Sequence, residues 1–235
     1  MNVQGVMALL EKNKNERGIE HWKRLTGGKK GTSFGIGLSQ LRKLAKQVGR
    51  DHELSLKLWA SGCYDAKVIA ALIDEPAKMT RAQVEKQVDE LNAGMMMMAH
   101  VYCCCDPTIA KTPFVRELAV EWIESKDDHR RRCGYLLLAE LSRNKKDATL
   151  TDAFFEKYIA RIEKGIKKEE NWVRDAMNTV IFGVGQRNAK LNKRALAAAK
   201  KYWPIQVDYG DNSCEPVNVI KHLTGPHIQA KVAQA

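Results

Sequence analysis

Apolar residues recur every three to four positions along almost the whole chain, and they alternate as a strand would only at Ile205–Tyr209. That spacing gives each segment one apolar stripe, so the fold has to be built by packing helix on helix. The pattern predicts helices at Val3–Leu25, from a Ser39 cap through Val48, and at His52–Ser61, Tyr64–Asp74, Arg81–Asn92 and Met95–Asp106. It continues through Pro113–Ser125, Asp128–Arg143, Thr151–Lys167, Asn171–Arg187 and Asn192–Trp203, and "TGGKKGTSFGIG" (26–37) reads as a loop. One arrangement recurs. "LWASGCYDAKVIAALI" ends a helix at Trp59 and starts another near Tyr64. "EWIESKDDHRRRCGYLLL" does the same with Trp122 and Asp128, and "NWVRDAMNTVIF" is like the second helix of such a pair. A Trp-bearing helix, a polar turn and a second helix point to stacked helical hairpins. Periodicity alone leaves a non-repeating helical bundle equally open.

The charge is uneven. The chain of 235 residues carries a net +11. Residues 11–50 hold eleven Lys/Arg against three Asp/Glu, residues 51–126 eight against twelve, and the rest twenty against thirteen. Two basic regions around an acidic middle suggest a polyanion partner, nucleic acid first, with a solvated basic surface as the alternative. No apolar run has the length of a membrane span. Met1–Leu10 has neither a basic start nor a small-residue cleavage site, so no secretory signal is expected. Six cysteines in such a chain suggest reduced thiols and a cytoplasmic protein.

The stretch "GMMMMAHVYCCCDP" (94–107) looks at first like a thiol or metal site. Consecutive helical residues lie about 100° apart, so Cys103, Cys104 and Cys105 cannot turn toward one ion. No C-x-x-C pair exists, and Cys63, Cys133 and Cys214 are scattered. Cysteine and methionine here are expected to pack a buried helix, with no metal. Asp106 is different. Pro107 disfavours helical geometry at the residue before it, so the helix should end at Asp106. A carboxylate there meets the negative end of the helix dipole and needs a compensating role. It either caps a following turn or faces a cation, with Tyr102 one turn earlier on the same side. In "HRRRC" (129–133), three arginines spread over about 200° of helix surface and cannot share a target. Solvated charge is the bland explanation for them, and phosphate contact the sharper one. "GGKKGTSFGIG" lacks the order of a phosphate loop, but Lys29 and Lys30 place charge where it could touch DNA backbone.

Several of these stretches, namely "FGIGLSQLRKLAK", "LWASGCYDAKVIAALI", "YCCCD", "EWIESKDDHRRRCGYLLLAEL" and "NWVRDAMNTVIFGVG", resemble the bacterial DNA alkylation repair (AlkD-like) proteins over roughly residues 30–200. The resemblance implies an all-α, right-handed superhelical solenoid of HEAT-like repeats, one domain over 1–235 with a non-repeat tail at about 204–235. It implies that Asp106 is the catalytic carboxylate, that Tyr102 stands for the family's tryptophan four residues before it, and that Arg132 is the family's DNA-holding arginine. A second family tryptophan falls on Thr179, which carries no ring. Arg131, Arg174, Lys29 and Lys30 join Tyr102 and Arg132 as expected DNA contacts.

The implied activity is a DNA glycosylase that needs no cofactor and hydrolyses the N-glycosidic bond of ring-nitrogen-alkylated purines in duplex DNA. Such a base already carries positive charge and leaves without a general acid, so one carboxylate stabilising the oxocarbenium-like sugar would suffice. A non-catalytic relative that binds distorted or branched DNA is the alternative, and a helical-repeat scaffold for proteins is the third class.

Overall fold

The computed structural model describes residues 1–26, 31–91, 99, 101–103, 108–210 and 213–234. Among them the regular structure is helical. The one β-bridge is an isolated parallel pairing of Thr32 with Cys63. The chain forms two compact units, Met1–Val115 and Arg116–Ala235.

The first unit holds α1 (Val3–Lys12), α2 (Glu16–Thr26), α3 (Leu38–Val48), α4 (His52–Trp59), α5 (Tyr64–Ile73) and α6 (Arg81–Leu91). Residues 101–103 are helical, and a 3-10 turn spans Ile109–Lys111. The expected Val3–Leu25 helix is two helices. Asn13 ends the first, and Asn15 accepts the Gly18 N–H at 2.9 Å to start the second. Asparagine offers the backbone a local acceptor, which breaks a helix that apolar spacing alone would continue. Ser39 does not cap α3 as expected. The helix begins one residue before it, from Gly37, without a side-chain cap. At the centre α5 packs on α1, α3 and α4. Its sequence is apolar almost all round, and nearly every residue is buried.

Between α2 and α3 the 31–37 segment is pinned down. Asp65, in the first turn of α5 and fully buried, accepts hydrogen bonds from Ser33 Oγ at 2.7 Å, Phe34 N at 2.8 Å and Ile36 N at 3.0 Å. Gly35, at φ 67°, runs against the start of α2, where an added Cβ would lie 2.3 Å from Ile19 N. Only glycine fits both that φ and that space.

The second unit holds all but the first residue of α7 (Val115–Ile123), and α8 (Asp128–Leu141), α9 (Asp152–Gly165), α10 (Asn171–Val184), α11 (Ala189–Tyr202), α12 (Val219–Leu223) and α13 (Pro226–Ala233). Helix α8 packs on α10 and α10 on α12, while α9 packs on α11, which is the two-layer order of stacked hairpins. Asp127, Thr151 and Asn188 cap α8, α9 and α11. The last of these starts at Ala189, earlier than the expected Asn192, because Asn188 supplies the cap. Gly134 lets α8 approach α7 closely, since a Cβ there would meet Ile123 N at 2.7 Å and Ala119 O at 2.9 Å. Arg187 donates to the carbonyls of Ser142, Asn144 and Leu150, closing the end of α8 and the loop after it.

The expected strand at Ile205–Tyr209 does not form. That segment has no regular structure, its polar partners on α10 are side chains rather than another strand, and α12 and α13 follow it.

Candidate nucleic-acid interface

The three consecutive arginines of α8 go to three different partners, as their angular spread requires. Arg130 lies 5.8 Å from the Trp122 ring centroid. Arg131 forms a two-pronged ion pair with Glu169, at 3.0 and 2.9 Å, and also donates to the carbonyls of Ser125 and Lys126. The Glu169 carboxylate raises its pKa. Arg132, only 4% exposed, holds its guanidinium 4.8 Å from the Trp172 ring centroid. The cationic helix start is offset locally, because Asp127 caps it through Arg130 N at 2.8 Å and Asp128 occupies its first turn.

Around Arg132 the second unit gathers an aromatic and polar cluster. Trp172, in the first turn of α10, is half-buried. Tyr209 from the tail meets it with ring centroids 5.4 Å apart and planes at 78°. The Tyr209 hydroxyl donates to Asp175 Oδ1 at 2.7 Å. Burial first, and then the Asp175 carboxylate, push the Tyr209 pKa well above its ordinary value, with Arg132 pulling the other way. Thr179, one turn beyond Asp175, donates to the Asp175 carbonyl at 3.0 Å. Rings on this part of α10 are thus supplied by Trp172 and Tyr209, while Thr179 contributes a hydroxyl turned back on its own helix.

The tail is laced to α10 by side chains at helical spacing. Asn171 donates to Asp208 O at 2.7 Å and accepts from Asp208 N at 2.8 Å. Arg174 donates to Gln206 O at 2.7 Å and to Glu169 O at 2.9 Å. Asn178 donates to Val217 O at 2.9 Å and accepts from the Tyr202 hydroxyl at 3.0 Å. Sequence reasoning picked out Arg132 and Arg174 but missed Trp172, Asp175 and Tyr209. The only signal for them was an aromatic and a carboxylate at i, i+3 in "NWVRD".

In the first unit Tyr102 is 2% exposed. Its ring lies 5.3 Å from that of Trp59, and its hydroxyl donates to Gln87 Oε1 at 2.6 Å. Trp59 Nε1 donates to Glu90 at 2.7 Å, and Lys67 pairs with the same oxygen at 3.0 Å. Tyr102 therefore anchors the helical residues 101–103 to α4 and α6. Asp106, Lys29, Lys30, Cys104 and Cys105 lie outside the described residues. Cys63, Cys103 and Cys133 are buried and Cys214 is exposed. Among the described residues no three His, Cys, Asp or Glu side chains gather as a metal site would need. No described helix is long and apolar enough to cross a membrane.

The profile of the "DNA alkylation repair enzyme" family matches residues 6–207. Two uncharacterized proteins, Lin0241 of Listeria innocua serovar 6a and Lmo0209 of Listeria monocytogenes serovar 1/2a, are each 24% identical over 199 residues, covering 81% of this chain and 81% of the relative. A solved structure from "a new family of proteins related to the HEAT-like repeat DNA glycosylases with affinity for branched DNA structures" superposes with a TM-score of 0.83 at 21% identity. That match covers 99% of this chain and 96% of the other. At that identity the likeness establishes the fold, one of HEAT-like helical repeats. With most of its length matched by the family profile, the chain belongs to the DNA alkylation repair enzyme family.

Proposed function

We propose that this chain binds DNA whose regular helix is interrupted, at a branch or a damaged site. The observation that carries the reading is the Arg132 guanidinium set on the Trp172 ring inside a unit rich in Lys and Arg. The half-buried Trp172 ring, backed by the buried Arg132, offers a flat surface for a base, and the surrounding Lys and Arg offer charge for the backbone; broken helices present both. The affinity of the structural neighbour for branched DNA supports the same reading. The test is binding of labelled three-way junction and plain duplex by the wild type and Arg132→Ala. Tighter binding of the junction, lost in the variant, is expected. Equal and weak binding of both by wild type and variant would remove the proposal.

A second reading is favoured by the match to the DNA alkylation repair enzyme family, on whose catalytic carboxylate the sequence puts Asp106. Asp106 would then stabilise the oxocarbenium-like sugar as an alkylated purine departs, with no cofactor. Single-turnover release of methylated purine from duplex DNA by wild type and Asp106→Asn decides it. Release by the wild type that is abolished in the variant supports glycosylase activity. Equal rates, or no release by either protein while DNA is bound, leave binding as the function.

A further inference from the structure

The tail between Lys201 and Lys221 has an unusual composition for a basic protein. It contains no Lys or Arg, and it contains Asp208, Asp211 and Glu215. Even so, it is tied across α10 at Asn171, Arg174, Asp175 and Asn178, next to Arg132. A strip of that charge does not suit a phosphate. What it adds to the cluster is a ring, held on two sides. The edge-to-face contact with Trp172 sets the place of Tyr209, and the hydroxyl bond to Asp175 sets its orientation. Unlike the core rings Tyr135 and Phe155, which are fully buried, Tyr209 and Trp172 are half-buried and reach the surface.

We propose that the tail completes a stacking site in which the Tyr209 ring receives one unpaired nucleobase. The inference rests on the DNA-binding reading above. Every base offers a neutral π-face, so stacking tolerates acidic surroundings that would repel a phosphate. A ring already oriented loses little freedom when a base settles on it. A base inside a continuous duplex is stacked on its neighbours and cannot reach the ring, so the site selects DNA with a base set free, as at a junction or a gap. The buried Arg132 charge beside Trp172 lowers the negative potential of the acidic strip at the ring.

The experiment uses the full chain and two DNAs of equal length, one with 2-aminopurine at an unpaired position beside a branch and one fully paired. Wild type is expected to quench the 2-aminopurine emission on binding. Tyr209→Leu keeps a smaller apolar side chain without a π-face. It should abolish the quench and weaken binding of the branched DNA about tenfold, while affinity for paired duplex stays unchanged. Tyr209→Phe should keep the quench with a smaller loss of affinity, because the ring stays against Trp172 and only the orienting bond to Asp175 is removed. Unaltered quenching by Tyr209→Leu, or an equal loss on both DNAs, would overturn the stacking site and leave DNA binding standing. A wild type that binds neither DNA would overturn both.

Discussion

Asp65 accepts a hydrogen bond from the backbone N–H of Ile36, 3.0 Å away, and the same carboxylate holds Phe34 N and Ser33 Oγ. A helix-start carboxylate thus fixes a loop some thirty residues earlier in the chain, just after "GGKK". Asp65→Ala would leave buried donors without partners, each such group costing roughly 1–3 kcal/mol. We expect a loss of about 3 kcal/mol in urea unfolding, and a loss below about 1 kcal/mol would show that water replaces the carboxylate.

Tyr102→Phe keeps the ring against Trp59 and removes the donor to Gln87 Oε1, a residue 5% exposed. The expected cost is about 1 kcal/mol in chemical denaturation. DNA affinity should not change if the hydroxyl serves only the packing of its helix, and a fall in affinity would assign it a direct role.

Gly134→Ala would put a methyl 2.7 Å from Ile123 N and 2.9 Å from Ala119 O. Alanine is ordinarily the better helix residue by about 1 kcal/mol, but the obstacle here is backbone, which cannot swing aside. The substitution should lower stability by about 2 kcal/mol, and a raised melting temperature would contradict the close approach of α7 and α8.

Tyr202 and Tyr209 both have phenols whose pKa is pushed above the ordinary 10.0, in each case chiefly by burial. The folded state therefore favours the neutral phenol. That contribution to stability is complete below pH 10 and is lost as the pH rises above it. Melting temperature should fall as pH is raised from about 9 to about 11, and Tyr202→Phe should remove part of the fall. An identical profile for the variant would mean that the alkaline loss comes from other groups.

The Lys and Arg surplus should make DNA binding strongly salt-dependent, because each neutralised phosphate contributes a slope of about −0.9 in log affinity against log salt. A titration at several salt concentrations is expected to give a slope steeper than about −3. A flat line would exclude phosphate contacts as the source of affinity.

The helices were legible because their signal is local. Apolar spacing located α3, α5, α8 and α10 to within a residue or two at their starts, and the Trp59 and Trp122 echo gave the hairpins. The break at Asn13–Asn15 was missed because apolar spacing continues through it while the asparagine side chains compete for the backbone. The site was only half legible for a different reason. Arg132 and Trp172 are forty residues apart, and Tyr209 follows 37 residues later, so nothing in local sequence brings them together. The alternation at Ile205–Tyr209 signalled a strand that does not form. It did not reveal that Asn171, Arg174 and Asp175, rather than a neighbouring strand, would receive the segment.

Stacked helical hairpins can form one after another as a chain is synthesised, since each contacts mainly its neighbours. The tail interrupts that order. It returns from the end of α11 to α10, through bonds between residues 32 to 39 positions apart. During translation α10 must therefore wait with Asn171, Arg174, Asp175 and Asn178 uncovered until Val217 has left the ribosome. The second unit closes from its C-terminal side, and the aromatic cluster beside Arg132 is among the last parts of the protein to come into being.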